Sequence, residues 1–309
     1  MTVTVAAVQA TPVFLDTAAT TDKSCGLIKE AAVNGAEVIV FPEAFIPTYP
    51  DWVWRLPAWR DGEYIGRLYH EAVSVPGPIT EQLGSAARDA GAVVAIGVNE
   101  IDGGTLYNTL LYLDADGSVA GRHRKLMPTG GERTVWGYGD GSTLDVVHTD
   151  FGVIGGLICW ENYMPLARAA MYAQGVDIYL APTWDNSDTW TATLRHIAKE
   201  GGVHVIGVAQ LLRGSDIPNE LRGDIYREHD DWMSRGRSAI VDPGGDILAG
   251  PLIETEGILY ATIDVAHARA QRRMFDSVGH YARPDVFTLT VDTTPQQAVR
   301  FTRRRAGID

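Results

Sequence analysis

Residues 152 to 166 read GVIGGLICWENYMPL. Val153 to Ile158 is an apolar run of strand length, and the pattern from Met164 to Gln174 is helical. Between them Cys159 stands at a strand-to-helix turn. That position predicts a thiol exposed at the end of a sheet, close to a helix N-terminus whose partial positive charge would favour a thiolate. The plain alternative is a buried packing cysteine, the commoner fate of a lone Cys after an apolar strand. Cys25, inside a predicted helix with no strand end beside it, fits that alternative.

Working outward, the same pattern occurs a second time. Val3 to Val8 reads as a strand, Thr17 to Val33 as a helix stopped at Asn34-Gly35, and Glu37 to Phe41 as a strand followed by Pro42-Glu43. In the later unit the strand before Cys159 leads to the helix, to Gly175, and to a strand from Asp177 to Leu180 followed by Pro182. Each is a β-α-β unit, which calls for a sheet with helices on its outer face. Hairpins are predicted at 105–125, around Asp116-Gly117, and at 238–249, around Pro243-Gly244; they need a second sheet against which to bury. The result is an α/β fold, a four-layer α-β-β-α sandwich. Functional sites in such sheets favour the carboxyl ends of strands. Glu43 and Cys159 both lie just past one, so the repeat permits them to share a mouth without requiring it.

The 309 residues include 45% hydrophobic and 21% charged, with a net charge of −13, ordinary for a globular chain with a sizeable core. The acidic balance argues against nucleic acid and anionic membrane as partners. Two cysteines make no disulfide framework, no segment is long and apolar enough to span a bilayer, and no basic leader precedes the first strand, so a cytoplasmic protein is expected. There is no zinc spacing, and the run GYGDG at 137–141 reads as a loop. One domain is expected over 1–289, with a short tail at 290–309.

Four polar residues supply one reaction. Glu43 follows a strand, Lys125 ends a hairpin strand, Glu132 lies in the next loop, and Cys159 is the fourth. A carboxylate takes a thiol proton, the thiolate attacks an electron-poor carbon, and a cation steadies the developing anion. The segments FPEAF (41–45), HRKLMPT (123–129), GERTVWGYGDGSTL (131–144) and ICWENYMPL (158–166) resemble the signature segments of the nitrilase superfamily. CWENY, with GDGST upstream, SRGRSAIVDPGGDILAGP (234–251) and SVGHYARPDVF (277–287) resemble the true nitrilase branch.

The resemblance implies the four-layer sandwich, no metal and no organic cofactor. It implies Glu43 as base, Lys125 as electrophilic stabiliser, Cys159 as nucleophile and Glu132 as assisting carboxylate. The implied reaction turns an uncharged organic nitrile into the carboxylic acid and ammonia through a thioimidate and a thioester. The competing readings are an amide-forming hydratase-like outcome, an amidase, and a catalytically silent binding relative. Tyr49, Trp52, Trp160 and Trp184 are the candidate substrate-pocket residues, and His280 is expected to order the C-terminal segment.

The chain departs from many relatives in Gly130-Gly131 ahead of Glu132, where they carry bulkier residues, and in stopping soon after Ala306. By the same resemblance a homodimer, or a small even-numbered oligomer of it, is expected. It would pair through the helix at 164–174, where Ala167, Ala169, Ala170 and Ala173 form a small-residue face. The segments Asp51 to Ala72 and Leu211 to Ser234, rich in aromatics and Arg and without clear periodicity, are candidate contact surfaces, with a lid or plain loops as the alternative. With so short a tail, long filaments are not expected.

Overall fold

The computed structural model describes residues 2–226 and 231–299. The basic run Arg303 to Arg305 and four residues of the 211–234 segment lie outside the described residues. The first sheet has six strands in the order β13-β1-β2-β3-β4-β5, formed by β1 (Thr2–Gln9), β2 (Val38–Val40), β3 (Val93–Asp102), β4 (Thr105–Leu113), β5 (Val119–Arg124) and β13 (Gly257–Asp264). The second follows the order β10-β11-β9-β8-β7-β6, with β12 (Ile247–Ile253) added to β11 (Trp232–Val241). Its other strands are β6 (Val147–Thr149), β7 (Gly152–Gly156), β8 (Ile178–Thr183), β9 (His204–Ala209) and β10 (Leu211–Arg213).

The two predicted β-α-β units are both present. β1, α1 (Thr17–Val33) and β2 form one, with Val5 to Ala7 paired in parallel to Val38 to Val40. β7, α4 (Pro165–Ala173) and β8 form the other, with Ile154 paired to Ile178. Local sequence sets the helix ends: Asp16 accepts from Ala19 N at 2.9 Å at the start of α1, and Pro78 opens α3 (Pro78–Ala90).

Alternation along the strands divides the apolar residues among three interfaces, which is what four layers require. Val5, Val40, Ala95 and Leu110 of the first sheet meet Ile154, Leu180, Ile206 and Ile240 of the second. The opposite face of the first sheet, with Val8, Ile39 and Ile96, packs on Ile28 of α1 and Leu83 of α3. The outer face of the second, with Tyr179, Val205 and Val241, packs on Met171 of α4 and Leu194 of α5 (Asp188–Gly201).

Some local expectations are corrected. Pro182 lies inside β8, not past it; β7 pairs no further than Leu180, so that flank of β8 is an edge where proline is tolerated. The segment 51–72 contains a helix, α2 (Gly62–Glu71), whose core side is only Tyr64 and Leu68, too few positions to show a period. Two of its five aromatics, Trp52 and Tyr64, are internal. Trp52 stacks on Tyr64 with centroids 5.3 Å apart, and Tyr64 donates to Leu221 O at 2.6 Å in the 211–234 segment. The two segments thus pack on each other, and Trp54, Trp59 and Tyr69 remain exposed. On α4, Ala167 and Ala170 face the protein's own core; Leu166 is exposed beside Ala169 and Ala173. His280 is exposed and reaches Asp276 at 3.5 Å.

Candidate active site

Glu43 follows β2, Lys125 follows β5, and Cys159 closes the turn after β7, so the carboxyl ends of the parallel strands converge as the repeat permits. The approach is tight. A Cβ on Gly97 of β3 would lie 2.3 Å from Ala44 N and from Pro42 O, so a side chain there would displace Glu43. Cys159 opens a 3-10 turn, Cys159–Tyr163, with φ of +54°, a left-handed conformation that non-glycine residues rarely adopt and that clusters at active sites.

The polar groups form one network. Lys125 Nζ donates to Glu43 Oε1 and to Glu132 Oε2, each at 2.7 Å. Glu43 also accepts from Asn108 Nδ2 at 2.7 Å and from the backbone N–H of Trp184 at 2.8 Å. Glu132 accepts from Tyr49 OH and from Thr129 N, both at 2.6 Å, and Trp54 Nε1 donates to Tyr49 OH at 3.1 Å. Thr183 Oγ1 donates to Cys159 Sγ at 3.2 Å while accepting from Asp185 N at 2.9 Å, which orients its proton toward the sulfur. Glu43, Lys125, Glu132 and Cys159 are all buried.

This burial corrects the expected exposed, acidified thiol. Desolvation pushes the Cys159 thiol up, and the facing Glu43 and Glu132 carboxylates add to that; Lys125 and Thr183 only partly offset them. The helix α4 begins at Pro165, six residues on, too far for its dipole to dominate. Burial also raises Glu43 above the usual carboxylate range despite Lys125 and Asn108. Burial opposes the charge on Lys125, but the two carboxylates outweigh it and hold the ammonium protonated. Losing the thiol proton to solvent would add charge to an already anionic set, whereas passing it to Glu43 leaves the net charge unchanged. The arrangement therefore favours proton transfer from Cys159 to Glu43 over loss of the thiol proton to solvent.

Cys159 and Glu132 open into a cavity of about 290 Å³ lined by Tyr49, Trp54, Trp160 and Trp184, with Thr129, Asp185, Asn186 and Ser187 also on its wall. Tyr49 stacks on Trp184 with centroids 4.3 Å apart and planes 6° from parallel. Trp160 is half exposed, its Nε1 donating to Asp185 Oδ2 at 2.9 Å. Of the candidate pocket residues Trp52 is corrected: it is fully buried between Phe14 and Tyr64, outside the cavity lining. Trp54, two residues on, takes that place. The Gly130-Gly131 pair explains how. A Cβ on Gly130 (φ +49°) would stand 3.0 Å from the Trp54 ring, and one on Gly131 2.7 Å from Val53 O. Sequence reading missed Asn108, Thr183 and Trp54. Among the described residues no group of three or more His, Cys, Asp or Glu side chains is arranged to hold a metal ion.

The chain belongs to the carbon-nitrogen hydrolase family, which matches residues 4–273, and within that nitrilase superfamily to the nitrilase branch. It is similar to an aliphatic nitrilase from Sinorhizobium fredii (strain HH103), 50% identical over 301 residues that span 95% of this chain and 97% of that protein. It is 44% identical over 316 residues to nitrilase 1 of Arabidopsis thaliana, covering 97% of this chain and 90% of that one. The crystal structure of a carbon-nitrogen hydrolase from Helicobacter pylori G27 shares the fold, with a TM-score of 0.74, 20% identity, and coverage of 93% of this chain and 97% of the other.

Proposed function

We propose that this protein is a nitrilase, hydrolysing an uncharged organic nitrile to the carboxylic acid and ammonia. The observation that carries the reading is Lys125 bridging Glu43 and Glu132 at 2.7 Å each, beside a buried cysteine that opens into a cavity walled by aromatics. Glu43 accepts the Cys159 proton as the sulfur adds to the nitrile carbon and hands it on to the nitrogen, giving a neutral thioimidate and leaving Glu43 ionised again. Lys125 and the backbone N–H of Trp160, at the start of the 3-10 turn, stabilise the nitrogen as negative charge builds there. Glu43 takes one proton from a water as it adds to the thioimidate carbon and returns it to the nitrogen; the hydroxyl proton follows by the same route as the C–N bond breaks, so that ammonia leaves and a thioester remains. A second water cleaves the resulting thioester, releasing the acid and restoring the thiol. Glu132 accepts from Tyr49, Thr129 N and Lys125, and so holds the ammonium in place through both half-reactions.

Folded Cys159→Ala is expected to release no ammonia from nitriles that the parent consumes. Ammonia release at the parent rate would overturn the assignment. The aromatic walls and the carboxylates of Glu132 and Asp185 favour neutral nitriles over anionic ones.

The protein acts, in this reading, as a homodimer or a small even-numbered oligomer. Supporting it is an apolar groove in which Leu166 and Ala169 of α4 face Val278, Tyr281, Phe287 and Leu289. Of these, Leu166, Tyr281 and Phe287 are more than half exposed. No helix among the described residues is long and apolar enough to cross a membrane.

A further inference from the structure

Glu161, two residues after the nucleophile, has no part in the chemistry above, yet it is completely buried and fully engaged. Its Oε1 accepts from Leu126 N at 2.6 Å and its Oε2 from Ile158 N at 2.7 Å. Ile158 immediately precedes Cys159, and Leu126 immediately follows Lys125. One carboxylate therefore joins the backbone on either side of the reacting pair, across the two sheets. The third partner is His123, whose Nε2 lies 3.0 Å from Oε2 and 3.1 Å from Oε1.

The charge state follows from the partners. His123 Nδ1 faces Thr143 O at 3.1 Å, an atom that only accepts, so Nδ1 carries a proton. Nε2 faces two oxygens that already take short backbone donors, the arrangement of an ionised carboxylate. Both ring nitrogens thus donate, and the ring is an imidazolium. Burial opposes that charge, but Glu161 and Thr143 O outweigh it and raise His123 above its ordinary value. The other titratable groups acting here are Tyr112 of β4 and Tyr179 of β8, both kept neutral by burial and by Glu161, with Asp145 acting in turn on Tyr112.

We propose that the buried His123–Glu161 pair is a positioning clasp, in which an imidazolium keeps the carboxylate charged so that it fixes the turn bearing Cys159 against the strand end bearing Lys125. The clasp rests on the reading of Cys159 as nucleophile and Lys125 as its partner. Removing it lets the two drift relative to each other, and a displacement of about 1 Å costs on the order of 10²-fold in rate.

Three variants test it, with readouts that do and do not need nitrile turnover. In ¹⁵N NMR, His123 in the parent protein is expected to show both ring nitrogens protonated at pH 7. His123→Leu is expected to lower kcat on the order of 10²-fold, with KM little changed, and to alter the rate of Cys159 alkylation by iodoacetamide. His123→Gln, which returns a donor to Glu161 without a titrating ring, should recover most of both. It should also lose the decline in kcat that the parent is expected to show as pH rises through the raised His123 value. Glu161→Gln turns an amide NH₂ toward one of the two backbone donors and should behave like His123→Leu. If His123→Leu does not fold, the pH profile of His123→Gln decides. A neutral imidazole at pH 7, or a folded His123→Leu with parental alkylation and parental kcat, overturns the clasp. A parent protein that turns over no nitrile while these variants still alter alkylation would instead overturn the proposed function and leave the clasp standing.

Discussion

Glu43 accepts three hydrogen bonds, from Lys125, Asn108 and the Trp184 backbone, and all three favour its charged form against burial. In the proposed mechanism Glu43 sets the acid limb of the rate profile, because a base must be ionised to take the thiol proton. With Glu43 raised, activity should fall on acidification at a pH above the ordinary carboxylate value of about 4.3. Asn108→Leu removes one stabilising donor, so the limb should move to higher pH. The check is kcat/KM against pH for both proteins; a limb that stays in place would separate Asn108 from the base. At this scale the four polar residues could be singled out because each sits in a dense, ordered motif, three of them just past a strand and Glu132 in the loop after Lys125. Asn108 and Thr183 were not, because each lies in an ordinary strand pattern, and only the fold turns one toward Glu43 and the other toward Cys159.

The turn over Asp51–Trp54 is the element that shapes the cavity. It lies against Gly130-Gly131, and Trp54 crosses from that contact to the Tyr49 hydroxyl. Trp54→Ala should enlarge the cavity and raise the kcat/KM of bulky arylacetonitriles relative to short aliphatic ones, measured across a panel with acid and amide both quantified. An unchanged ranking would remove Trp54 from the substrate's path. The regular elements were read well where their signals are local. Helix α1 runs from Thr17 to Val33, as its apolar spacing and Asn34-Gly35 stop predict, and the 105–125 hairpin is present. What sequence could not give is the inward or outward choice of aromatics in an irregular segment. Trp52 and Trp54 are two residues apart in a 3-10 turn, and only the packing of Tyr64 and Phe14 sends one to the core and leaves the other to the cavity.

Across the whole molecule, the four-layer architecture was legible because the β-α-β pattern recurs, whereas the outward face of α4 was only half legible. Helix α4 turns Ala167 and Ala170 inward to its own sheet, leaving Leu166, Ala169 and Ala173 to look outward. If that strip and the groove beside it join two copies, Leu166→Glu should shift the protein from dimer toward monomer in light scattering at micromolar concentration. A parent protein that is already monomeric there would refute the pairing. One feature of the cavity bears on how the reaction ends. The substrate enters neutral, but the acid leaves as an anion, formed between Glu132 and Asp185 in a chain whose net charge is −13. Glu132, Asp185 and the net charge work against retention of that anion, although Lys125 attracts it, and the same carboxylates favour ammonium. Added carboxylic acid should therefore inhibit turnover weakly and added ammonium more strongly, as initial rates at constant ionic strength will show. The walls that admit the neutral nitrile are, in the proposed mechanism, a poor resting place for the anion it becomes.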